Sequence, residues 1–242
     1  MRNGGITSEH GGIILAMILR ILGWLGASSG VGALLYWQVV LAEGAYLGPR
    51  AVRCIYQLGA QRYDAVRQPW QQSADAILLP HLHAALANRN APRILDVATG
   101  TGRVPRLLCA DPSFHGVVTA LDLTPAMLAQ ARRKAPALPV LWLQAEANAL
   151  PGTAASVDLV TCLEALEYFP QPRQALHEMV RVLRPGGTLL LSKVPDNWAR
   201  LLPGRALQRS QLAQTLHDLG CADVHFAPWQ DGHYELVWAK RR

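Results

Sequence analysis

From Ala91 to the C-terminus, short apolar runs alternate with stretches of helical spacing, and this alternation restricts the possible folds more than any other feature of the chain. Strand–helix alternation builds a parallel sheet that helices cover on both faces, so it predicts an α/β fold. The predicted strands are 93–97, 117–121, 140–143, 157–162 and 187–193. The predicted helices are 103–110, 125–134, 172–183 and 208–219.

Two further apolar runs, 222–228 and 233–239, flank Asp231-Gly232, a dipeptide typical of tight hairpin turns. They predict an antiparallel hairpin at the end of the chain. The expected fold class is therefore a Rossmann-like, doubly wound, mostly parallel seven-stranded sheet with a C-terminal antiparallel hairpin, preceded by N-terminal hydrophobic helices.

The N-terminal region is strongly apolar. Residues 11–42 carry a single charge, Arg20, and the run from Ile21 to Ala42 carries none. That run is long enough to cross ~30 Å of hydrocarbon, and aromatic residues stand near both of its ends. Three interpretations stay open: a single membrane span, a re-entrant or surface-lying hairpin, and a helical cap buried on a soluble core. The first two predict membrane association.

Arginines are concentrated behind this apolar run. Arg50, Arg53, Arg62 and Arg67 follow it, whereas Arg2 stands alone near the start. Loops on the cytoplasmic side of a membrane carry the excess of basic residues. The distribution therefore predicts a membrane-associated protein whose C-terminal domain lies in the cytoplasm.

Three regions are expected along the chain. Residues 49–90 show apolar residues at helical spacing, interrupted at Pro69 and Pro80. The predicted organisation is a hydrophobic membrane-associated segment over 1–48, a helical cap or linker over 49–90 and one α/β domain over 91–242.

Charge and cysteine content narrow the possible partners. The formal net charge of +6 and the pI of about 9.5 favour anionic partners. A basic stripe with interleaved aromatic residues is not evident, so no nucleic-acid partner is expected. The four cysteines stand more than fifty residues apart and form no Cys-x-x-Cys pair, so no metal site is predicted.

The first predicted strand ends on Asp96 and runs into a glycine-rich turn with Gly100 and Gly102. A dinucleotide-binding loop has a third glycine where this chain has Pro105, and its fingerprint does not include an acidic residue before the turn. A carboxylate at Asp96 suits a cationic amine, such as the amino group of a methionine moiety. Hydride transfer is therefore disfavoured against methyl transfer.

Two further acids follow later strands. Asp122 ends the second strand, 20 residues after Gly102, where an acid accepts hydrogen bonds from ribose hydroxyls. Glu146 follows the third strand, where its side chain reaches the amino group of an adenine, and Ala147 offers its backbone N–H to the ring. A surface glutamate and a helix-start aspartate are the structural alternatives.

Together these stretches resemble the class I S-adenosylmethionine-dependent methyltransferases. The resemblance covers residues 60–195 and depends on the order and spacing of several motifs. The motifs are LDVATGTGR, ALDLTPAMLAQAR, AEANALP, SVDLVTCLEALEYF and RVLRPGGTLLLSK. Ala98, at the first glycine of the usual loop, and Arg62-Tyr63-Asp64 are similar to the ubiquinone/menaquinone-biosynthesis C-methyltransferases.

The resemblance assigns the cofactor, S-adenosylmethionine, to a set of residues at its methionine end. Asp96, Gly100 and Gly102, in the loop that also contains Ala98, would hold the methionine. Leu163 would lie beneath the methionine and the methyl group. Tyr63 would close over the methionine carboxylate.

The nucleoside end is assigned in the same way. The resemblance gives the ribose hydroxyls to Asp122 and places Leu123 and Met127 against the adenine. Glu146 and Ala147 would lie at the polar edge of the adenine, although QAEA stands where many relatives have GDA.

Methyl transfer from a sulfonium needs alignment of the nucleophile and exclusion of water, and it needs a base only when the nucleophile must lose a proton. Glu164, Glu167 and Tyr168 follow the fourth strand and are candidates for that base. Glu164 is expected nearest to the methyl group and is the predicted catalytic residue. A helix-start acid without chemistry is the alternative.

The acceptor is expected to be a small or lipid molecule. Residues 194–207 form a basic insertion in which Trp198, Arg200 and Arg205 suit an anionic headgroup or a lipid surface. With the apolar N-terminus, this favours a prenyl-quinone-like ring or a lipid headgroup. Two other readings stay open: a soluble small-molecule methyltransferase whose apolar N-terminus is a lid or dimer surface, and a cofactor-binding scaffold without turnover. The oligomeric state is not predicted.

Overall fold

The computed structural model of the chain describes residues 29–87 and 89–242. They fall into two compact units, of which the first ends at Glu43 and the second is Gly44–Arg242. In the first unit, residues 29–36 are helical and lead into a π-helical turn, Trp37–Leu41.

The predicted N-terminal hydrophobic helices lie mostly outside the described residues, because the description begins at residue 29. Among residues 29–87 and 89–242, no helix combines the length and apolar character that a membrane crossing needs.

The second unit is built on one seven-stranded sheet, as the alternation predicts. Its strands are β1 (Arg93–Val97), β2 (Val117–Asp122), β3 (Val140–Gln144), β4 (Val157–Cys162), β5 (Leu183–Lys193), β6 (Cys221–Trp229) and β7 (Tyr234–Arg241). Their order across the sheet is β3-β2-β1-β4-β5-β7-β6. The first five strands are parallel, and β7 runs antiparallel to both β5 and β6. The doubly wound sheet and its C-terminal hairpin are therefore confirmed.

Helices cover both faces of this sheet. They are α1 (Pro49–Gly59), α2 (Tyr63–Leu86), α3 (Arg103–Cys109), α4 (Pro125–Lys134), α5 (Pro172–Val182), α6 (Asp196–Ala199) and α7 (Arg209–Asp218). Side chains alternate along each strand, so neighbours in β1 enter different cores. Leu95 packs with Leu176 of α5 and Leu212 of α7, whereas Ile94 packs with Leu78 of α2.

The interruptions predicted at Pro69 and Pro80 are wrong, because α2 continues through both positions to Leu86. A proline within a helix removes one backbone hydrogen bond, but packing of the helix face on the sheet opposes that cost. Ala74, Leu78 and Leu82 are fully buried against the sheet, and the Trp229 indole N–H donates to the Ala74 carbonyl at 2.9 Å.

Strand β5 begins at Leu183, four residues earlier than predicted. Leu183 pairs with Val157, and regular pairing resumes at Leu159 with Thr188 after a bulge. Gly187 within the bulge has no room for a side chain, since a Cβ would stand 2.8 Å from the Arg184 carbonyl oxygen. Pro-Gly-Gly is a sequence typical of turns, and the strand absorbs it as an irregularity.

Candidate functional site

The site lies at the carboxyl ends of the parallel strands, where the strand order reverses between β1 and β4. Open α/β sheets bind ligands at this crevice. Two adjoining cavities occupy it, one of about 810 Å³ including its open mouth and one of about 470 Å³. The residues that line both are Tyr63, Ala98, Gly100, Leu163 and Glu164.

Most of the predicted site residues meet at these cavities. Of the predicted residues, four line the first cavity and not the second: Asp122, Leu123, Glu146 and Ala147. Asp96 lines the second cavity. Ten of the twelve therefore lie together, five of them between the two cavities.

Gly102 and Met127 line neither cavity, which does not support their predicted contacts with the cofactor. Gly102 has φ +81°, and a Cβ there would stand 2.8 Å from Cη2 of Trp142. It is needed for backbone conformation and close packing. Met127 is 1% exposed and belongs to the interior.

The loop after β1 is bound to β2 by its own backbone. Ala98, Gly100 and Gly102 all adopt positive φ, between +55° and +81°. At Ala98 this conformation costs about 1 kcal/mol or more, because its Cβ crowds the backbone. The Thr99 N–H donates to the Leu121 carbonyl at 2.9 Å, which holds the loop open beside the first cavity.

Asp96 is a buried carboxylate between two hydroxyl donors. Thr99 Oγ1 donates to one of its oxygens and Thr161 Oγ1 to the other, each at 2.5 Å. Burial raises the pKa of Asp96 to about 6, against the lowering effect of the two threonine hydrogen bonds. A cationic group entering the second cavity would restore the charge of this acid.

Asp122 is bound by backbone amides. It accepts from the Gly100 N–H at 2.9 Å on one oxygen and from the Thr124 N–H at 2.8 Å on the other. Burial raises its pKa, and the two backbone hydrogen bonds oppose that rise. Each carboxylate oxygen accepts more than one hydrogen bond, so the pair retains capacity for two hydroxyl groups in the cavity. These residues fit a ribose.

Glu164, the predicted base, forms the centre of an ion-pair cluster. Its carboxylate accepts from Arg67 Nη1 at 2.5 Å, from Arg103 Nη1 at 3.0 Å and from the Gln230 side-chain amide. Its side chain is 8% exposed. A catalytic base would have to present its carboxylate to the acceptor, but here three protein donors already bind that carboxylate. The geometry therefore favours a role in positioning the two arginines and does not support catalysis.

Arg103 is the residue that sequence reasoning missed. Its Nε donates to Asp75 at 2.7 Å, Nη1 bonds Glu164, and its guanidinium lies 5.0 Å from the Trp229 ring centroid. Its Nη2 is buried without a hydrogen-bond partner among the described residues. Because Arg103 lines the second cavity, this nitrogen fits an anionic oxygen there. An arginine directly after the glycine turn was the available signal.

Arg67, on α2, shares Glu164 with Arg103. Burial lowers the pKa of its guanidinium, but the charges of Tyr63, Glu164 and Tyr234 outweigh that effect, so the pKa is raised. The second cavity therefore has two permanent cations on its wall.

The other two candidate bases lie in different places. Glu167 is buried, accepts from the Tyr234 hydroxyl at 2.8 Å and lines neither cavity. Tyr168 lines the first cavity, with its ring edge-on to Tyr56 at 6.3 Å between centroids. Tyr56 in turn lies 6.2 Å from the ring of Tyr63.

One wall of the first cavity is helix α1, which lies in the region predicted as a helical cap or linker. Pro49, Val52 and Tyr56 of α1 line it together with Phe169 and Pro170. The lining thus combines the carboxylates of Asp122 and Glu146 with aromatic side chains.

The "Methyltransferase domain" family profile matches residues 95–191. A demethylmenaquinone methyltransferase of Thermus thermophilus is 40% identical over 139 residues, 56% of this chain and 62% of that protein. A malonyl-[acyl-carrier protein] O-methyltransferase of Pseudescherichia vulneris is 34% identical over 179 residues, 69% of this chain and 67% of that protein.

The fold also matches solved structures. A magnesium protoporphyrin IX methyltransferase of Synechocystis, crystallised with S-adenosylmethionine, aligns with a TM-score of 0.62 at 19% identity, over 79% of this chain and 95% of that one. This likeness concerns the fold alone.

The chain spans 61% to 63% of the length of the first quinone-type methyltransferases that it matches. Its motifs, its matched domain and the relative of which it covers 67% agree with one another. The chain belongs to the class I S-adenosylmethionine-dependent methyltransferases, enzymes whose cofactor is S-adenosylmethionine.

Proposed function

We propose that this protein transfers a methyl group from S-adenosylmethionine to a planar, lipid-soluble acceptor of the quinone class at a membrane. The observation that carries the proposal is that the second cavity, with its charged lining, adjoins the first cavity, with its aromatic lining. Asp96 and Arg103 line the charged part, and Tyr56 and Tyr168 line the aromatic part. The relatives named for demethylmenaquinone support the same acceptor class.

The cofactor roles follow from the groups that each cavity offers. Asp96 would pair with the ammonium of the methionine moiety, and Arg103 Nη2 with its carboxylate. Asp122 would accept from the ribose hydroxyls. Glu146 and the Ala147 N–H would face the adenine edge, with Leu123 against the ring.

Bound S-adenosylmethionine supplies a methyl group already activated on a sulfonium, so the chain's task is alignment and exclusion of water. Leu163 and Ala98 lie between the two cavities and bring an apolar surface to the place where they join. Glu164 holds Arg67 and Arg103 in position. Tyr168 is the candidate base that faces the aromatic cavity.

Aromatic side chains favour a flat acceptor. The rings of Tyr56, Tyr63 and Tyr168 stand at mutual angles of 48° and 61°, an open arrangement into which another ring fits edge-on or stacked. Phe169 adds a further apolar ring to the lining.

Two observations support action at a membrane: the apolar N-terminal sequence, and the exposed side chains of residues 29–43, the part of it that the structure describes. In residues 29–43 the exposed side chains are predominantly aliphatic: Val31, Leu34, Leu35, Val39 and Val40. The arginines that follow favour the cytoplasmic side for the methyltransferase domain.

The test is methyl transfer by the purified full chain. Methyl-labelled S-adenosylmethionine and a reduced naphthoquinone with an isoprenoid tail are incubated with the protein in detergent, and label is counted in the lipid extract. We expect label in the quinone, and loss of both transfer and cofactor affinity in Asp122→Ala. Calorimetry that detects no cofactor binding would refute the assignment, and binding without label in any lipid would favour a scaffold.

A further inference from the structure

Helix α1 forms a wall of the first cavity, yet none of its residues is buried. Pro49, Val52 and Tyr56 face the cavity. The opposite side of the helix meets solvent, where Leu58 is 81% exposed. A single exposed apolar side chain is common on protein surfaces, so Leu58 is informative only together with exposed apolar neighbours.

A second exposed element borders the same cavity. The Tyr46 hydroxyl donates to the Pro203 carbonyl at 2.9 Å, and the Arg205 guanidinium lies 5.4 Å from the Tyr46 ring centroid. Arg205 also donates to the carbonyl of Phe169, which lines the cavity, at 3.0 Å. The start of the second unit and residues 198–205 are therefore joined at one margin of the cavity.

Each of these two elements carries two large exposed apolar side chains. We call the set the rim: it consists of Leu47, Leu58, Trp198 and Leu201. Trp198 is 43% exposed, and an exposed tryptophan is typical of surfaces that enter the headgroup region of a bilayer.

Basic side chains predominate around the rim, since Asp196, on the same short helix as Trp198, is paired with Lys193 at 2.9 Å. Residues 44–63 contain Arg50, Arg53 and Arg62 and no acidic residue. All three arginines are exposed, as is Arg200 between the two apolar side chains of the second element. Basic residues interleaved with apolar ones complement anionic lipid.

The sequence joins this surface to the apolar N-terminus. Gly44 begins the second unit, three residues before Leu47, and only Glu43 separates it from residues 11–42 with their single charge. A lipid contact of that stretch and one of the rim would therefore be linked through a few residues of chain.

We propose that the rim docks on an anionic lipid surface, so that the mouth of the first cavity faces the bilayer and a lipid-soluble acceptor enters from it. The docking itself rests on the rim, and only the acceptor's route rests on the proposed function.

Cys54 provides a reporter, because it is exposed on α1 while Cys162 and Cys221 are buried. The full chain with Cys109→Ser is labelled at Cys54 with a polarity-sensitive fluorophore and titrated with vesicles. We expect a blue shift with phosphatidylcholine–phosphatidylglycerol vesicles, reversed by salt and absent with pure phosphatidylcholine. The control carries the same label on Ala154→Cys in a Cys54→Ser background. Residue 154 lies in the loop before β4, at the amino edge of the sheet, and its fluorescence should not shift.

Charge reversal tests the surface. Arg50→Glu with Arg53→Glu should weaken the vesicle affinity read at Cys54 by roughly tenfold or more. The control is Lys240→Glu with Arg242→Glu, which makes the same charge change near the C-terminal end of β7, where Lys240 pairs with Thr188 of β5. This pair should leave the vesicle affinity within about twofold.

Four outcomes overturn the proposal: no shift at Cys54, a shift at Ala154→Cys instead, equal loss in both charge pairs, or a shift that follows protein concentration without lipid and so indicates a second copy. Methyl transfer to a short-tailed water-soluble quinone is measured on the same samples. Transfer without docking refutes only the docking, and docking without transfer refutes only the proposed function.

Discussion

At the scale of single residues, the site depends on a carboxylate that changes charge in the physiological range. Asp96 is buried between Thr99 and Thr161, and its pKa is raised from 3.8 to about 6. Because the folded pKa exceeds the unfolded value, Asp96 favours the folded chain at low pH. That contribution declines as the pH rises from about 4 to about 6 and stays constant above.

Cofactor affinity should depend on pH in the opposite direction. The ammonium of the methionine moiety prefers ionised Asp96, so the affinity for S-adenosylhomocysteine should fall as the pH drops below about 6, by up to roughly tenfold per pH unit. Calorimetry in buffers of different ionisation enthalpy should detect proton release near pH 6.

The control for this prediction is 5′-methylthioadenosine, which lacks the ammonium and the carboxylate and should show a flat profile. Asp96→Asn should remove the dependence for S-adenosylhomocysteine. An unchanged profile in Asp96→Asn would assign the titration to another group.

Arg103 should distinguish ligands by their carboxylate. A charge-assisted hydrogen bond contributes about 1.5–3 kcal/mol, so Arg103→Met should weaken S-adenosylhomocysteine roughly tenfold to hundredfold. Binding of 5′-methylthioadenosine should not change. Arg132→Met, on a helix outside both cavities, is the matched control, and equal losses for both ligands would show a structural role only.

The site residues that could be predicted from the sequence are placed by the strand they belong to, whereas the roles that could not be predicted depend on contacts with distant parts of the chain. Asp96 and Asp122 stand at strand ends, where topology alone directs a side chain into the crevice. The role of Glu164 depends on Arg67, Arg103 and Gln230, which only the completed fold brings together. Gly102 faces Trp142, and no local pattern gives the direction of that packing.

At the scale of elements, α1 forms part of the wall of the first cavity. It carries Tyr56, whose ring contacts those of Tyr63 and Tyr168. The helical spacing of 49–59 was readable, but its position over the cavity was not. That position depends on a few long-range contacts, such as the Ala126 N–H donating to Gln57.

Tyr56→Ala should raise the KM for the quinone acceptor and leave cofactor affinity unchanged. One aromatic contact between Tyr56 and a flat acceptor would contribute about 0.5–1.5 kcal/mol, so its loss predicts a fall in kcat/KM of roughly two- to twelvefold. Tyr56→Phe should restore most of it. Steady-state kinetics and calorimetry are the measurements, and a parallel loss of cofactor affinity would contradict a role confined to the acceptor.

Helix α2 is stabilised by its buried face, which is why two prolines do not end it. Leu78 is 0% exposed, so Leu78→Ala should lower the free energy of unfolding by about 2–5 kcal/mol. Ile77→Ala, at 41% exposure, should cost under about 1 kcal/mol. Urea unfolding followed by circular dichroism checks both, and similar values would show that α2 is not held by this face.

At the scale of the whole molecule, alternation of apolar runs was sufficient to predict all seven strands and the closing hairpin. Parallel strands need crossovers, and that requirement leaves few arrangements for such a pattern. The strand limits were less predictable: β5 starts at Leu183, because pairing with Val157 continues across the Pro-Gly-Gly sequence. Pairing partners far apart in the chain decide such limits.

The C-terminal end of the chain completes a site whose loop begins at residue 96. Gln230 bonds Glu164, Trp229 lies against Arg103, and the Tyr234 hydroxyl bonds Glu167 beside the aromatic cavity. During synthesis, the glycine loop leaves the ribosome more than a hundred residues before these partners. A nascent chain therefore lacks these contacts of the site until β6 and β7 have been synthesised.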